Sequence, residues 1–472
     1  MRVSYCRTLH LLERTSVLHK FTLPVALMLF GLLPLNGIAQ TAKPAVNAVP
    51  DEPILTARTP KQPGINNVAS TEEPAGDITL TQAVAAALLQ NPDLAAFSQE
   101  IRAREAATLQ AGLLPNPTFG ANAANFGNAR AKGFDGDVVT LELSQLIELG
   151  GKRTARIEAA QQTKELADWD YETARLTVMT QVAQAFSDVL GAEARLDLAR
   201  QMTDLAEQVA TTVGNQVKAG EVSPVEETRA KVALATVRTD LTRTERELEA
   251  ARRRLSSFWG SIEPRFVKAR GELEATAPIP TLEQLQTRVH QNPELARWAT
   301  ELTQRQALVD LEKTKAIPDV TASLGTSYYR LNNDYVLLAG VSLPLPVFNR
   351  NQGGIQEAER RRNKAEDERR AAEVRIGTAL STAYQALAAA HAEAEIYKTS
   401  ILPGAESAYE SVRKGYRFGE FALLDVLDTQ RTLFTAKAQY LRALTAYHQG
   451  VAEVERLVGE RLATLPNSEV SK

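Results

Sequence analysis

The 472 residues carry 54 lysines and arginines against 57 aspartates and glutamates, a formal net charge of −3, and 44% of them are hydrophobic. That balance excludes a nucleic-acid binder held by bulk charge, and a lone cysteine, Cys6, excludes a disulfide scaffold. Beyond the N-terminal region no stretch approaches the roughly 18 uninterrupted apolar residues of a spanning helix, so any bilayer crossing falls to strands.

Residues 1–39 read as a secretory signal: Arg2, Arg7, Arg14 and Lys20, then the apolar run Phe21 to Leu35, then Gly37-Ile38-Ala39 as a small-residue cleavage site. The run, with Pro24 and Pro34 in it, is short of the roughly 20 residues a membrane anchor needs. Removing it takes away Cys6, four basic residues and Glu13, which leaves −3 − 3 = −6 on a mature chain beginning at Gln40. No thiol then remains for a disulfide, a thiolate metal site or a nucleophile. Residues 40–76, rich in Pro, Ala and Thr without periodicity, read as an extended linker.

From there the chain says nearly the same thing twice, over residues 77–275 and 276–460, before a short tail at 461–472. Thr79-Leu80 and Thr281-Leu282 open helical runs that close at Gln90-Asn91-Pro92-Asp93-Leu94 and Gln291-Asn292-Pro293-Glu294-Leu295. Pro115-Asn116-Pro117 is echoed by Pro318-Asp319, Gly150-Gly151 by Gly353-Gly354, and Lys218-Ala219-Gly220-Glu221 by Arg417-Phe418-Gly419-Glu420. A repeat this long is a duplicated structural half and not a short solenoid unit. Each copy is predicted to hold a helix, two strands and two further helices.

The strands fall between the prolines and the Gly-Gly pairs. Val139, Leu141 and Leu143 alternate with Thr140, Glu142 and Ser144; Val320, Ala322, Leu324 and Thr326 alternate with Thr321, Ser323, Gly325 and Ser327; Val341, Leu343 and Leu345 alternate with Ser342 and Pro344. Thr118 to Asn125 is a fainter fourth strand, and turn-rich residues occupy 126–136 and 330–334. A soluble hairpin packed on helices satisfies this alternation. So does a share of a membrane barrel, for which four strands are too few unless several copies pool them.

The long helices follow. No proline interrupts Lys152 to Val217, and Ala185, Ala192, Ala199 and Ala206 recur at seven-residue spacing, as do Ala365, Ala372, Ala379 and Ala386 in the second copy. Small residues in heptads predict close coiled-coil packing, and about 65 residues at 1.5 Å each make a rod of roughly 100 Å. Helices Pro224 to Ser257 and Leu423 to Leu457 fold back after the turns at Gly220 and Gly419, while Pro403-Gly404 is expected to kink or break the second rod.

Catalytic material is sparse. His290, His391 and His448 stand apart from one another, which gives no local zinc or triad spacing. Gly150-Gly151-Lys152-Arg153 lacks the spacing of a phosphate loop and reads as a strand-to-helix bend. Arg252-Arg253-Arg254 and Glu359-Arg360-Arg361-Arg362 read as solvated helix faces.

The ordered set of duplicated halves, Asn-Pro-acid-Leu motifs, Glu148-Leu149-Gly150-Gly151-Lys152-Arg153, and Tyr416-Arg417-Phe418-Gly419-Glu420 leading into Leu424-Asp425-Val426-Leu427-Asp428 resembles the TolC family of outer-membrane efflux channels over residues 77 to 460. The Glu-Leu-Gly-Gly-Lys-Arg segment is similar to the heavy-metal branch of that family. The chain departs from many relatives in lacking an N-terminal cysteine for acylation and in having Leu146 after Gln145 where proline is common. The resemblance implies a mainly α-helical protein with a small β part. In it three chains pool four strands each into a 12-stranded barrel, and their helical hairpins continue it as an α-barrel through the periplasm. It implies a passive duct for heavy-metal cations of the cobalt, zinc and cadmium or copper and silver type, with no catalysis and no cofactor. Its partners are a periplasmic adaptor, an inner-membrane RND pump and outer-membrane lipid. A multidrug or type I secretion channel, and a non-pore periplasmic scaffold, are the alternatives.

By the same resemblance Gly220-Glu221-Val222-Ser223 and Gly419-Glu420-Phe421-Ala422 are the periplasmic tips that meet the adaptor. Asp425 and Asp428, with Glu226 equivalent to Asp425 and with Tyr416 and Arg417 beside them, would form a periplasmic gate of carboxylate rings. The competing reading is that these acids cap helices or pair with Arg417 and Arg431.

Overall fold

The computed structural model describes residues 73–125 and 137–462. The predicted signal, most of the linker, the turn-rich segment 126–136 and residues 463–472 lie outside the described residues.

Each copy begins with a capping box. The Thr79 hydroxyl accepts the Gln82 N–H at 3.3 Å while the Gln82 carboxamide accepts the Thr79 N–H at 2.9 Å, starting α1 (Leu80–Gln90). Thr281 and Gln284 repeat the device at 3.4 and 3.0 Å to start α5 (Leu282–Arg288). The Asn-Pro motifs both close these helices and open new ones, α2 (Pro92–Ala111) and α6 (Pro293–Lys315). Two helices, not one, therefore precede the strands of each copy. Asn91 Oδ1 accepts the N–H groups of Asp93 and Leu94 at 3.0 and 3.1 Å, and Pro92 fills a position whose missing N–H costs nothing. The other end of each amide reaches the far end of its copy. Asn91 Nδ2 donates to the Phe258 carbonyl at 2.9 Å, and Asn292 Nδ2 to the Leu457 carbonyl at 2.9 Å.

The strands build two sheets. β1 (Gly76–Thr79) pairs in parallel with β4 (Phe266–Arg270), burying Ile78, Phe266 and Ala269 on one face. Runs of four and five residues carry too little alternation to stand out in sequence. The larger sheet is antiparallel in the order β2-β3-β5-β6, with β2 Thr118–Ala124, β3 Val138–Ile147, β5 Val320–Tyr329 and β6 Asp334–Ser342. Its central pair, β3 with β5, joins the two copies along ten residues. β6 begins and ends earlier than the predicted alternation, leaving Leu343 and Leu345 past its end, where Pro344 has no N–H for a ladder.

The rods are α3 (Lys152–Ala219) and a second run made of α7 (Gln352–Ile396), a π-helical segment Tyr397–Ile401 and α8 (Leu402–Arg417). α4 (Pro224–Ser257) and α9 (Leu423–Val458) return beside them. Pro403 does not break its rod. The Leu402 N–H bonds the Tyr397 carbonyl in an i to i+5 step, so the π segment absorbs the bond that proline cannot donate. In the second copy Gly353 and Gly354 lie within α7, and the left-handed residue at the bend is Asn351, with φ 57°. Asn accepts that conformation at a lower cost than other side-chain-bearing residues.

The alanine heptads are borne out in the first copy and corrected in the second. Ala185, Ala192, Ala199 and Ala206 are all buried, as are Ala365 and Ala372, but Ala379 is half-buried and Ala386 exposed. The buried row passes instead through Ile376, Leu380, Leu387 and Ala394. The step from Ala372 by way of Ile376 to Leu380 adds two four-residue turns where a heptad adds seven residues. That drift returns a straight 3.6-residue helix to its neighbour's side.

Ala192→Leu is expected to overpack its contact and cost about 1–3 kcal/mol, whereas Ala386→Leu, at an exposed position, costs under about 0.5 kcal/mol. Thermal unfolding of the two variants checks this. Equal melting temperatures would show that the buried row has been misplaced.

Candidate functional site: sheet faces and helix tips

The ladder fixes which side chains share a face. Phe119, Ala121 and Ala123 align with Leu143, Leu141 and Val139, then with Leu324, Thr326 and Tyr328, then with Ala339, Leu337 and Tyr335. No charge occurs on this face. The opposite face carries Asn122, Thr140, Glu142, Ser144, Ser323 and Ser327, and Thr140 and Ser327 share a hydrogen bond of 2.7 Å between their hydroxyls. The exposure is inverted relative to a soluble sheet. On β6 the apolar-face residues Tyr335, Leu337 and Val341 are 72–77% exposed, while Val336 and Leu338 on the other face are 37–39% exposed. A face without charge left more open than the face that carries the hydroxyls and Glu142 is what lipid outside and water inside require. Ten residues at about 3.3 Å each, tilted by about 40°, cover roughly 25 Å, the height of a barrel's apolar band. At the hairpin end the rings of Tyr328 and Tyr335 lie 4.8 Å apart, and the Tyr328 hydroxyl donates to Asn333 Oδ1 at 2.8 Å.

At the other end the strands pass into the rods. Gly150 and Gly151 both take left-handed conformations, and a Cβ on Gly150 would stand 2.6 Å from Ile317 Cδ1, so the bend tolerates only glycine there. Lys152 Nζ meets Asp319 Oδ1 at 2.6 Å, and the same oxygen accepts the Leu149 N–H at 3.0 Å. Arg156 pairs with Glu148 and donates to the Ala111 carbonyl at 3.2 Å, and Arg153 donates to the Gly112 carbonyl at 2.6 Å. The basic residues of the motif thus stitch β3, α3, the end of α2 and the start of β5. Sequence showed the motif but not Asp319 as its partner; the echo of Pro115-Asn116 by Pro318-Asp319 was the available signal.

The helix tips are built alike. In the first, the Gly220 N–H bonds the Val217 carbonyl at 3.0 Å and the Glu221 N–H the Gln216 carbonyl at 2.9 Å; in the second, Gly419 and Glu420 repeat this with Tyr416 and Gly415 at 3.1 and 3.0 Å. Both glycines have φ 77°, the left-handed residue that ends such a helix. Ser223 caps α4 through the Val225 N–H at 3.4 Å, whereas Ala422 has no capping side chain and Asp425 Oδ2 accepts the Ala422 N–H at 2.9 Å. The Phe421 ring folds onto Gly415, where a Cβ would lie 2.5 Å from it. Val213, Ala230 and Leu423 form a shared core with Val222, Tyr416 and Leu427, so the two tips are one packed unit. The Tyr416 hydroxyl donates to Gln216 Oε1 at 3.0 Å, and burial, with the charge of Glu226 beside it, raises the pKa of that phenol above its usual value. Sequence gave no sign of this tie between α3 and α8.

The predicted gate residues separate into different roles. Asp425 serves the start of α9, and Glu226 is half-buried and pairs with Arg229 at 3.0 Å. Asp428 and Arg417 are exposed and make no ion pair among the described residues. Among the described residues no cluster of His, Asp or Glu is placed to hold a metal ion, and no helix is long and apolar enough to cross a membrane.

Comparison with known proteins gives this geometry a family. The sequence profile described as outer membrane efflux protein matches residues 83–261 and 285–460, one segment in each copy. The chain is 36% identical over 387 residues to the cobalt-zinc-cadmium resistance protein CzcC of Cupriavidus metallidurans, covering 82% of this chain and 91% of that protein. It is 25% identical over 295 residues to the nickel-cobalt-cadmium resistance protein NccC of Alcaligenes xylosoxydans xylosoxydans, covering 62% and 66%. The fold superposes on a crystal structure of CusC with a TM-score of 0.69 at 17% identity, over 83% of this chain and 96% of that one. The chain belongs to the outer membrane efflux protein family.

Proposed function

We propose that this protein is the outer-membrane exit duct of a heavy-metal cation efflux system. The observation that carries the duct is the sheet with one open face free of charge, an opposite face that carries the hydroxyls and Glu142, and two unpaired outer edges among the described residues, β2 and β6. Unpaired backbone is untenable in lipid, so the edges must be closed by other copies. β2 and β6 run in opposite senses, and three copies joined β6 to β2 continue the antiparallel order into one barrel of twelve strands. The substrate class rests on the names of CzcC and NccC, both metal-resistance proteins. Sharing of the work with a periplasmic adaptor and an inner-membrane pump fits a chain whose helices extend about 100 Å from the sheet and end in compact tips. A protein that conducts needs no catalytic residue of its own.

The test is resistance. Restoring this chain to a host that lacks it but keeps the matching pump and adaptor is expected to raise the tolerated zinc, cobalt or cadmium concentration several-fold, and chemical cross-linking of membranes is expected to trap a trimer. Unchanged tolerance to all three metals, with tolerance to organic drugs restored, would replace the metal reading by a multidrug one. A soluble periplasmic band without trimers would replace the duct by a scaffold.

The tips are proposed as the adaptor's contact. Gly220→Val and Gly419→Val each force a branched side chain into φ 77° with open space around it, a local cost of about 1–2 kcal/mol. Trimers are expected to survive while export falls. Wild-type metal tolerance in both variants would remove the tips from docking.

At the gate Asp428 is the free carboxylate and Asp425 the cap. Asp428→Asn is expected to lower cation preference without loss of stability. Asp425→Asn keeps an acceptor for the Ala422 N–H and is expected to melt within about 0.5 kcal/mol of the parent, whereas Asp425→Ala costs about 1 kcal/mol. Bilayer recordings and thermal unfolding separate the two roles. Equal selectivity in Asp428→Asn and the parent would exclude a carboxylate ring at this position.

A further inference from the structure

The spanning sheet carries one ionisable side chain within its strands away from their ends, and it stands on the polar face. β2, β5 and β6 contain no Asp, Glu, Lys or Arg except Asp334, the first residue of β6, and β3 contains only Glu142. Glu142 is the fifth of the ten residues of β3 and so stands near mid-height of the sheet. It is exposed and makes no hydrogen bond or ion pair with another side chain among the described residues.

Its neighbours leave it room. The residue directly opposite on β2 is Gly120 and on β5 is Gly325. Directly opposed Cβ atoms in such ladders sit about 4.5–5.5 Å apart, so any other residue would crowd the carboxylate or pair with it. At Gly325 an added Cβ would fall 2.6 Å from the Leu141 carbonyl and 3.4 Å from Glu142 Cβ. On the same face, one ladder step to either side, stand hydroxyls only on the two central strands: Thr140 and Ser327 in one direction, Ser144 and Ser323 in the other. Glycine inside a strand weakens it, and here two glycines flank the sheet's single mid-strand charge.

We infer that Glu142 lines the lumen of the barrel and, repeated by the threefold assembly, forms a ring of carboxylates that concentrates hydrated divalent cations at mid-membrane. This rests on the trimeric duct proposed above. Carboxylate rings select cations in other pores. Twelve strands about 4.8 Å apart and tilted by about 40° enclose a backbone radius of roughly 12 Å, too wide to strip water from an ion. The ring therefore acts through its field and not by coordination. Side chains reaching inward from that radius bring their charge within about one Debye length of the axis at 0.1 M salt, while at 1 M the length shrinks to about 3 Å. The selectivity it confers must fade with salt.

The test uses the full-length trimer in planar bilayers, with zero-current potentials measured under a KCl gradient and again with zinc chloride added to one side. At about 0.1 M salt Glu142→Gln is expected to lower the cation-to-anion permeability ratio by about twofold and Glu142→Lys to invert it, with both converging on the parent near 1 M. Gly325 is left untouched, so the backbone of the sheet stays as it is. Conducting trimers of both variants with the parent's ratio at 0.1 M would overturn the ring alone. A parent trimer that conducts under no condition would overturn the ring together with the duct.

Discussion

One asparagine side chain holds each copy shut. Asn91 and Asn292 are 6% and 2% exposed, and each spends its carbonyl oxygen on starting a helix and its amide on the carbonyls that end the returning helix of the same copy. A buried amide left half-satisfied costs about 1–3 kcal/mol, so both ends are obligatory. The clasp fixes where α2 and α6 leave the body, and from that the strands receive their starting points. The repeated Asn-Pro motif is a joint between the first and last elements of a copy, which is why it recurs with the duplication and not with helix length.

Between the clasps and the sheet lies a charged seam. Lys152, Arg153 and Arg156 leave the strand bend and meet Asp319, the carbonyls of Ala111 and Gly112, and Glu148. Lys152 and Asp319 are largely shielded from solvent, which separates this pair from the many exposed i, i+4 pairs on the rods, such as Lys364 with Glu368. Exposed pairs contribute little to stability. This shielded bridge ties the first copy to the second where the ladder gives way to helices.

Much of this was legible. Period-two alternation gave β3 and β5 because one of their faces is mostly apolar and free of charge, and the duplication gave the number of elements in the main sheet. Thr79-Leu80 and Thr281-Leu282 marked the helix starts, where the structure then shows capping boxes with Gln82 and Gln284. What failed did so for local physical reasons. β1 and β4 are too short to show a period. Gly353-Gly354 copied the look of Gly150-Gly151, yet the left-handed turn passed to Asn351, whose Nδ2 bonds Glu312 at 2.7 and 2.8 Å and fixes the bend there. Ala379 and Ala386 kept a heptad in sequence that the straight helix did not keep in space. At the tips the glycines were visible, while the ring of Phe421 over Gly415 and the Tyr416 to Gln216 hydrogen bond depended on which helices lie side by side, and no spacing within one copy encodes that.

The central β3–β5 pair has a consequence for how the protein is made. Thr140 and Ser327, hydrogen-bonded across it, are 187 residues apart in the chain. During synthesis the first copy emerges with only the β2–β3 hairpin, and two strands with an apolar face are marginal on their own in water. The half-sheet must wait, greasy side uncovered, until the second copy has been extruded and folded back. Contacts this distant in sequence form slowly, which makes the interval before pairing the period of greatest aggregation risk.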